Sequence, residues 1–153
     1  MDLTGDDLAG IADLFGGLTR GELDRALEEL AYRRGEDVAE GLDETVSGAL
    51  SAYRLVELDR DGERLLVAGP TAFPTLPEGA EDLPHIMDVE RREIDREAAG
   101  GAALDRLRAD AASAVDAGDD DRIATLLDVS YDLEAWAPVD LGEVRDRLDD
   151  AVE

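Results

Sequence analysis

Between Leu18 and Gly35 the chain reads LTRGELDRALEELAYRRG, and this stretch constrains the fold more than any other. Thr19 followed three residues later by Glu22 is a capping box, in which each side chain satisfies the other residue's backbone N–H at a helix start. Leu23, Ala26, Leu27 and Leu30 then fall at i, i+3, i+4 and i+7, which puts them on one helical face. Gly35 supplies the stop. A helix with one apolar face needs partners of the same kind, and the rest of the chain supplies them.

Thr4 caps a preceding helix with Asp6 and Asp7 in its first turn, an apolar face of Leu8, Ile11, Ala12, Leu14 and Phe15, and a stop at Gly16-Gly17. Asp37 opens a third helix reaching Tyr53, with Val38, Leu42, Val46, Ala49 and Leu50 on its apolar side. Gly41 and Gly48 each weaken it by ~1 kcal/mol relative to Ala. Arg54–Leu58 and Arg64–Val67 then read as strands, joined through an Asp61-Gly62 turn that favours a hairpin.

From Gly69 to Pro84 the character changes. Four of the five prolines lie at 70, 74, 77 and 84, the composition of a linker or a surface-hugging loop. Helical signals return from Leu83 to Ala99, with Gly100-Gly101 as a stop, and again from Ala102 to Ala117. Gly118 with Asp119–Asp121 ends that helix and caps the next, which carries Ile123, Leu126, Leu127 and Leu133 as far as Trp136. Asp140 caps a last helix bearing Leu141, Val144, Leu148 and Val152. The expected fold is mainly α with one β-hairpin. Its expected parts are a helix-and-hairpin region over 1–69, a Pro-rich linker over 70–83 and a helical region over 84–153.

The order helix, helix, helix, hairpin over residues 4–67 resembles winged helix-turn-helix proteins, with LTRGELDRALEEL as the first helix of the turn. That resemblance implies a recognition helix over Asp37–Tyr53, a hairpin wing, and backbone contacts to DNA from Arg33, Arg34, Arg54, Arg60 and Arg64. The residues themselves speak against it. DVAEGLDETVSGALSAY contains no basic side chain, and of Arg, Lys, Asn and Gln, the usual base readers, the chain has only Arg. Asp37, Glu40, Asp43 and Glu44 would face the phosphates.

The charge extends that argument to the whole molecule. Forty acidic residues stand against 15 basic ones, all Arg, for a formal charge of -25. Disorder would be one reading of such acidity, but 44% hydrophobic residues at helical spacing point to a folded core. Charge this far from zero destabilises a compact state by self-repulsion, which salt near 1 M removes by shortening the Debye length to roughly 3 Å. The chain is similar in this to small acidic haloarchaeal proteins of unknown function. The same salt weakens phosphate contacts, so DNA binding is disfavoured.

Other candidate groups have simpler explanations. His85 lacks a nucleophile or an orienting partner that would make it a general base and reads as a polar helix-start residue. Gly118–Asp121 lacks the spaced ligands of a calcium loop, and Asp59–Glu63 is too short for one. Arg91, Arg92, Arg96, Arg106 and Arg108, interleaved with acids, suit salt bridges along an exposed helical face. Trp136 reads as a core anchor. Absence of Cys excludes disulfides and thiolate sites. No apolar run approaches a membrane span and no signal-peptide pattern opens the chain, which makes the cytoplasm the expected location. No catalytic residue, cofactor or metal ligand emerges. The expected role is a non-enzymatic interaction or adaptor module with a protein partner or a second copy of itself; the alternative is a winged-helix transcription regulator.

The charge carries a direct test. Far-ultraviolet circular dichroism should show helicity lost in dilute buffer and regained in molar KCl; full cooperative folding in dilute buffer would remove the basis for salt adaptation.

Overall fold

A computed structural model describes residues 1–38 and 40–152. These form seven helices and one antiparallel hairpin: α1 (Gly5–Phe15), α2 (Arg20–Arg34), α3 (Leu42–Ser51), β1 (Leu55–Arg60), β2 (Glu63–Ala68), α4 (Leu83–Met87), α5 (Arg96–Ala117), α6 (Asp120–Trp136) and α7 (Gly142–Ala151). The protein is thus mainly α with one β-hairpin, and it divides into two compact units, Met1–Ile94 and Asp95–Glu153.

In the first unit the expected caps form. Thr4 and Thr19 each accept from the residue three positions on, Asp7 and Glu22, whose carboxylates accept in return from the cap N–H groups. Leu8, Ile11, Ala12 and Phe15 of α1 and Leu23, Ala26, Leu27 and Leu30 of α2 are buried in one core with Val46 and Ala49 of α3. The hairpin closes this core with Leu55 and Leu66, turning through Asp61 (φ 51°) and Gly62 (φ 82°). Leu18, between α1 and α2, makes an antiparallel bridge with Leu66, its N–H and carbonyl both paired there.

Two expectations on this unit change. The third helix starts at Leu42 rather than Asp37: Asp37 and Val38 are not helical, Ala39 lies outside the described residues, and Gly41 sits at the N-cap with φ 84°. Gly41 therefore marks the entry to the helix. The Pro-rich segment over 70–83 belongs to the first unit, and the division of the chain falls after Ile94. Ala80 and Leu83 are fully buried in the core, and Thr75 donates from its backbone to the Asp6 carbonyl. Residues 71–94 therefore form a strap that meets α1 at Thr75 and again at Arg91 and Arg92, with α4 between them packed on α2. Glycines in and beyond α1 let it approach: a Cβ on Gly10 would lie 1.9 Å from the Thr75 carbonyl oxygen, and one on Gly16 (φ 79°) 1.8 Å from that of Arg92.

The second unit is a three-helix bundle of α5, α6 and α7, closed by Leu107, Leu126, Leu133, Leu141 and Leu148. α5 buries mostly alanines, Ala99, Ala103, Ala111 and Ala114, which allow close helix packing. Here too a boundary shifts. The expected helix over 83–99 is broken: α4 stops at left-handed Asp88 (φ 53°), and residues 96–99 are the first turn of α5, which runs unbroken through Gly100-Gly101. Gly100 is a packing residue: its missing Cβ would meet Ala137 at 2.5 Å. Gly118 in the left-handed conformation ends α5 and Asp119 caps α6, as expected.

Two glycines give opposite expectations. Gly48→Ala, in open space on α3, should stabilise by about 1 kcal/mol through helix propensity. Gly10→Ala should destabilise by about 1–3 kcal/mol despite the same gain in propensity, because the strap blocks the methyl group. Thermal denaturation in molar KCl decides; equal shifts for both would show that the strap does not lie on α1.

Candidate functional site

The outward side of α3, with the end of α2 and the hairpin, is where a winged-helix reading places the contacts, so its chemistry decides what the unit can recognise. Exposed residues on α3 are Asp43, Glu44, Ser47 and Gly48. Beside them a groove of about 350 Å³ has a floor of Val46, Leu50 and Leu66 and a rim of Arg20, Asp43, Ser47, Glu57 and Arg64. Both rim arginines are held by carboxylates. Arg20 lies 2.6 Å from Asp43 and 2.9 Å from Asp24; Arg64 lies 3.2 Å from Asp59 and 3.6 Å from Glu57. Two cations thus meet four anions, and the groove offers an incoming phosphate no surplus positive charge.

The five arginines expected to contact DNA do not assemble into one patch. Arg33 and Arg34 are exposed in the last turn of α2, with Arg34 near Glu36 at 3.7 Å. Arg54 follows α3 and is committed to the strap: its guanidinium donates to the carbonyl and hydroxyl of Thr71 and lies 3.7 Å from Asp6. Arg60, at the end of β1, donates to the Glu93 carbonyl at 2.7 Å. Arg64 reaches the groove and is brought near Arg20, a residue that sequence reasoning passed over. Only an ion pair across 23 positions, Arg20 with Asp43, would have singled it out.

The densest basic run serves the fold in several different ways. Arg91 donates to the carbonyls of Asp13 and Leu14 in the last turn of α1, the first of which also accepts from the Gly16 N–H. Arg92 takes the Phe15 carbonyl with its backbone N–H, and its side chain takes the Gly17 carbonyl and both Glu22 oxygens, at 2.7 and 3.2 Å. Burial works against the Glu22 charge. Hydrogen bonds from Arg92 and the Thr19 N–H outweigh it and hold the carboxyl below its ordinary range. In the second unit Arg96 stacks 4.2 Å over the ring of Trp136 and donates to its carbonyl, so Trp136 is half-buried beneath a cation instead of sunk in the core. Arg106–Asp110 and Arg108–Asp105 are the salt bridges along a helix that the spacing implied.

His85 is exposed on α4. Asp119 is used as the cap of α6, and among the described residues no cluster of three or more His, Asp or Glu is arranged to hold a metal ion. No described helix is long and apolar enough to cross a membrane.

With this geometry in view, comparison with known proteins gives one match. A family model described as a family of unknown function (DUF7109) matches residues 6–153. The chain belongs to that family. No curated protein and no solved structure matches it. The DUF7109 match runs from α1 through α7, so the family is defined over both units and not over the hairpin-bearing unit alone.

The Arg92–Glu22 pair makes a prediction for this DUF7109 chain. Both side chains are less than one-fifth exposed, so Arg92→Met should cost about 2 kcal/mol by leaving Glu22 without its charged donor. Because folding lowers the Glu22 pKa, its contribution is present above the ordinary carboxylate range and is lost as pH falls through the depressed value. Denaturant titrations from pH 7 to pH 3 should therefore show wild type losing this advantage over the variant on acidification; parallel curves at all pH values would exclude it.

Proposed function

We propose that the chain is a non-enzymatic protein-interaction module built for a molar-salt cytoplasm, and that its first unit is winged-helix-like without reading DNA through α3. One observation carries this reading: Arg20 and Arg64 are held by four carboxylates around a helix whose exposed side is acidic or small. A major-groove reader needs phosphate contacts and base-reading side chains there. The Leu18–Leu66 bridge supports the winged-helix likeness, because it adds a short third strand segment between the first two helices. The all-arginine cation set, the -25 charge and the likeness to acidic haloarchaeal proteins support the salt reading. Exposed Tyr32, Phe73 and Leu76 in the first unit supply apolar contacts, which salt does not screen.

Two measurements on the full chain test the proposal. Light scattering on material purified from its own cells in molar KCl should give a mass above the 16.4 kDa of one chain. Fluorescence anisotropy with duplex DNA, at the lowest KCl concentration at which circular dichroism shows the chain folded and phosphate contacts contribute most, should show no binding. A lone monomer in the first experiment counts against an interaction module. DNA binding abolished by Arg20→Ala with Arg64→Ala would install the regulator reading in its place.

A further inference from the structure

The chain has two phenylalanines with opposite fates: Phe15 is completely buried in the core, whereas Phe73 is 80% exposed. Three residues on, Leu76 is 42% exposed, and Pro74 and Pro77 flank it. A single exposed apolar residue needs no explanation. Here the backbone that carries the pair is fixed with unusual thoroughness. Thr71 donates from its backbone to the Tyr53 carbonyl and from its hydroxyl to the Ala52 carbonyl, and Arg54 donates to Thr71. The N–H of Phe73 donates to the Asp6 carboxylate and that of Thr75 to the Asp6 carbonyl, while the Thr75 hydroxyl reaches Asp7 at 2.6 Å. Gly10 exists without a Cβ at the point where Thr75 presses closest. Residues 71–77 are therefore anchored by main chain and hydroxyl groups, while the side chains of Phe73 and Leu76 are exposed to solvent.

We propose that Phe73-Pro74-Thr75-Leu76-Pro77 is a pre-formed docking ridge that inserts Phe73 and Leu76 into an apolar groove of a protein partner with a basic rim. The proposal rests on the interaction reading above and names its surface. Three physical arguments lead to that partner. The prolines fix φ at two of five positions and the anchors hold Thr71, Phe73 and Thr75, so little ordering entropy remains to be lost on binding. Proline-flanked apolar side chains are the kind that apolar and aromatic-lined grooves accept. The surroundings set the sign of the rim: Asp7 lies under Thr75, and exposed Glu78, Glu81 and Asp82 follow directly in the chain. An acidic rim would be repelled.

The test uses the tagged full chain and a tagged F73A/L76A variant as baits in a molar-KCl lysate of the source cells, with bound proteins identified by mass spectrometry. Both substitutions sit at exposed positions, and matching thermal midpoints for the two baits confirm an intact fold. Expected is a protein bound at least about thirtyfold more weakly by the variant, the size of effect that loss of a buried aromatic anchor produces. Excess untagged wild type should displace it and excess untagged variant should not, and its binding surface should be an apolar groove edged by Arg or Lys. A partner retained equally by both baits overturns the ridge and leaves the interaction reading standing. Capture of nothing by wild type overturns both. If the sole Phe73-dependent species is a second copy of this chain, the ridge is a self-association element and the proposed partner is wrong.

Discussion

Arg92 is the interaction on which the first unit depends most. Its main chain and guanidinium together meet Phe15 at the end of α1, Gly17 before α2, and Glu22 in the first turn of α2, with Glu63 of β2 3.8 Å away. A planar five-donor fork can serve a carbonyl and a bidentate carboxylate at once; an ammonium point charge has no such geometry. The unit therefore closes only when a residue late in its chain returns to the loop between its first two helices. Gly16 makes that return sterically feasible, since any side chain there would strike the Arg92 carbonyl.

The same use of arginine recurs through the molecule and bears on the missing lysines. Arg54, Arg60, Arg91, Arg92 and Arg96 each donate to backbone carbonyls as well as, or instead of, meeting carboxylates. Exposed ion pairs contribute little even in dilute buffer and less when salt screens them. A hydrogen bond to a carbonyl shielded from water keeps more of its value, as at Thr71 and Gly17, because breaking it there leaves a polar group unsatisfied. A chain this acidic gains most from its few cations by spending them on such carbonyls.

The parts of the fold that local chemistry decides were legible in the sequence. The capping boxes at Thr4 and Thr19, the Asp61-Gly62 turn, the Gly118–Asp119 stop and start, and the periodic faces of α1, α2 and α6 all follow from residues within a turn or two of one another. Long-range packing was not legible. Gly10, Gly16 and Gly100 look in sequence like breakers or weak points, yet each marks a close approach by a segment 37 to 76 positions away. Prolines suggested a linker because their composition does so in isolation; Ala80 and Leu83, buried between and beside them, turn the same stretch into a strap. For the candidate site, the lack of basic residues on α3 could be read directly, whereas the pairing of Arg20 with Asp43 and the loss of Arg54 and Arg60 to structural work needed coordinates.

Salt and recognition are linked by this architecture. In a molar-salt medium, Coulomb steering between partners reaches only roughly 3 Å, so a charged surface neither accelerates encounters nor selects partners over distance. Selection then falls to contact chemistry: apolar side chains, close fit and short-range charge pairs formed after docking. A surface covered in carboxylates resists general adhesion, and an apolar feature standing out from it becomes the place where association is favourable. Such a feature is useful only if it does not collapse into its own core. Holding Phe73 and Leu76 on a backbone tied down at Thr71, Phe73 and Thr75 meets that requirement, since the groups that fix the strap are backbone N–H and threonine hydroxyl groups, which leaves the Phe73 and Leu76 side chains to the solvent.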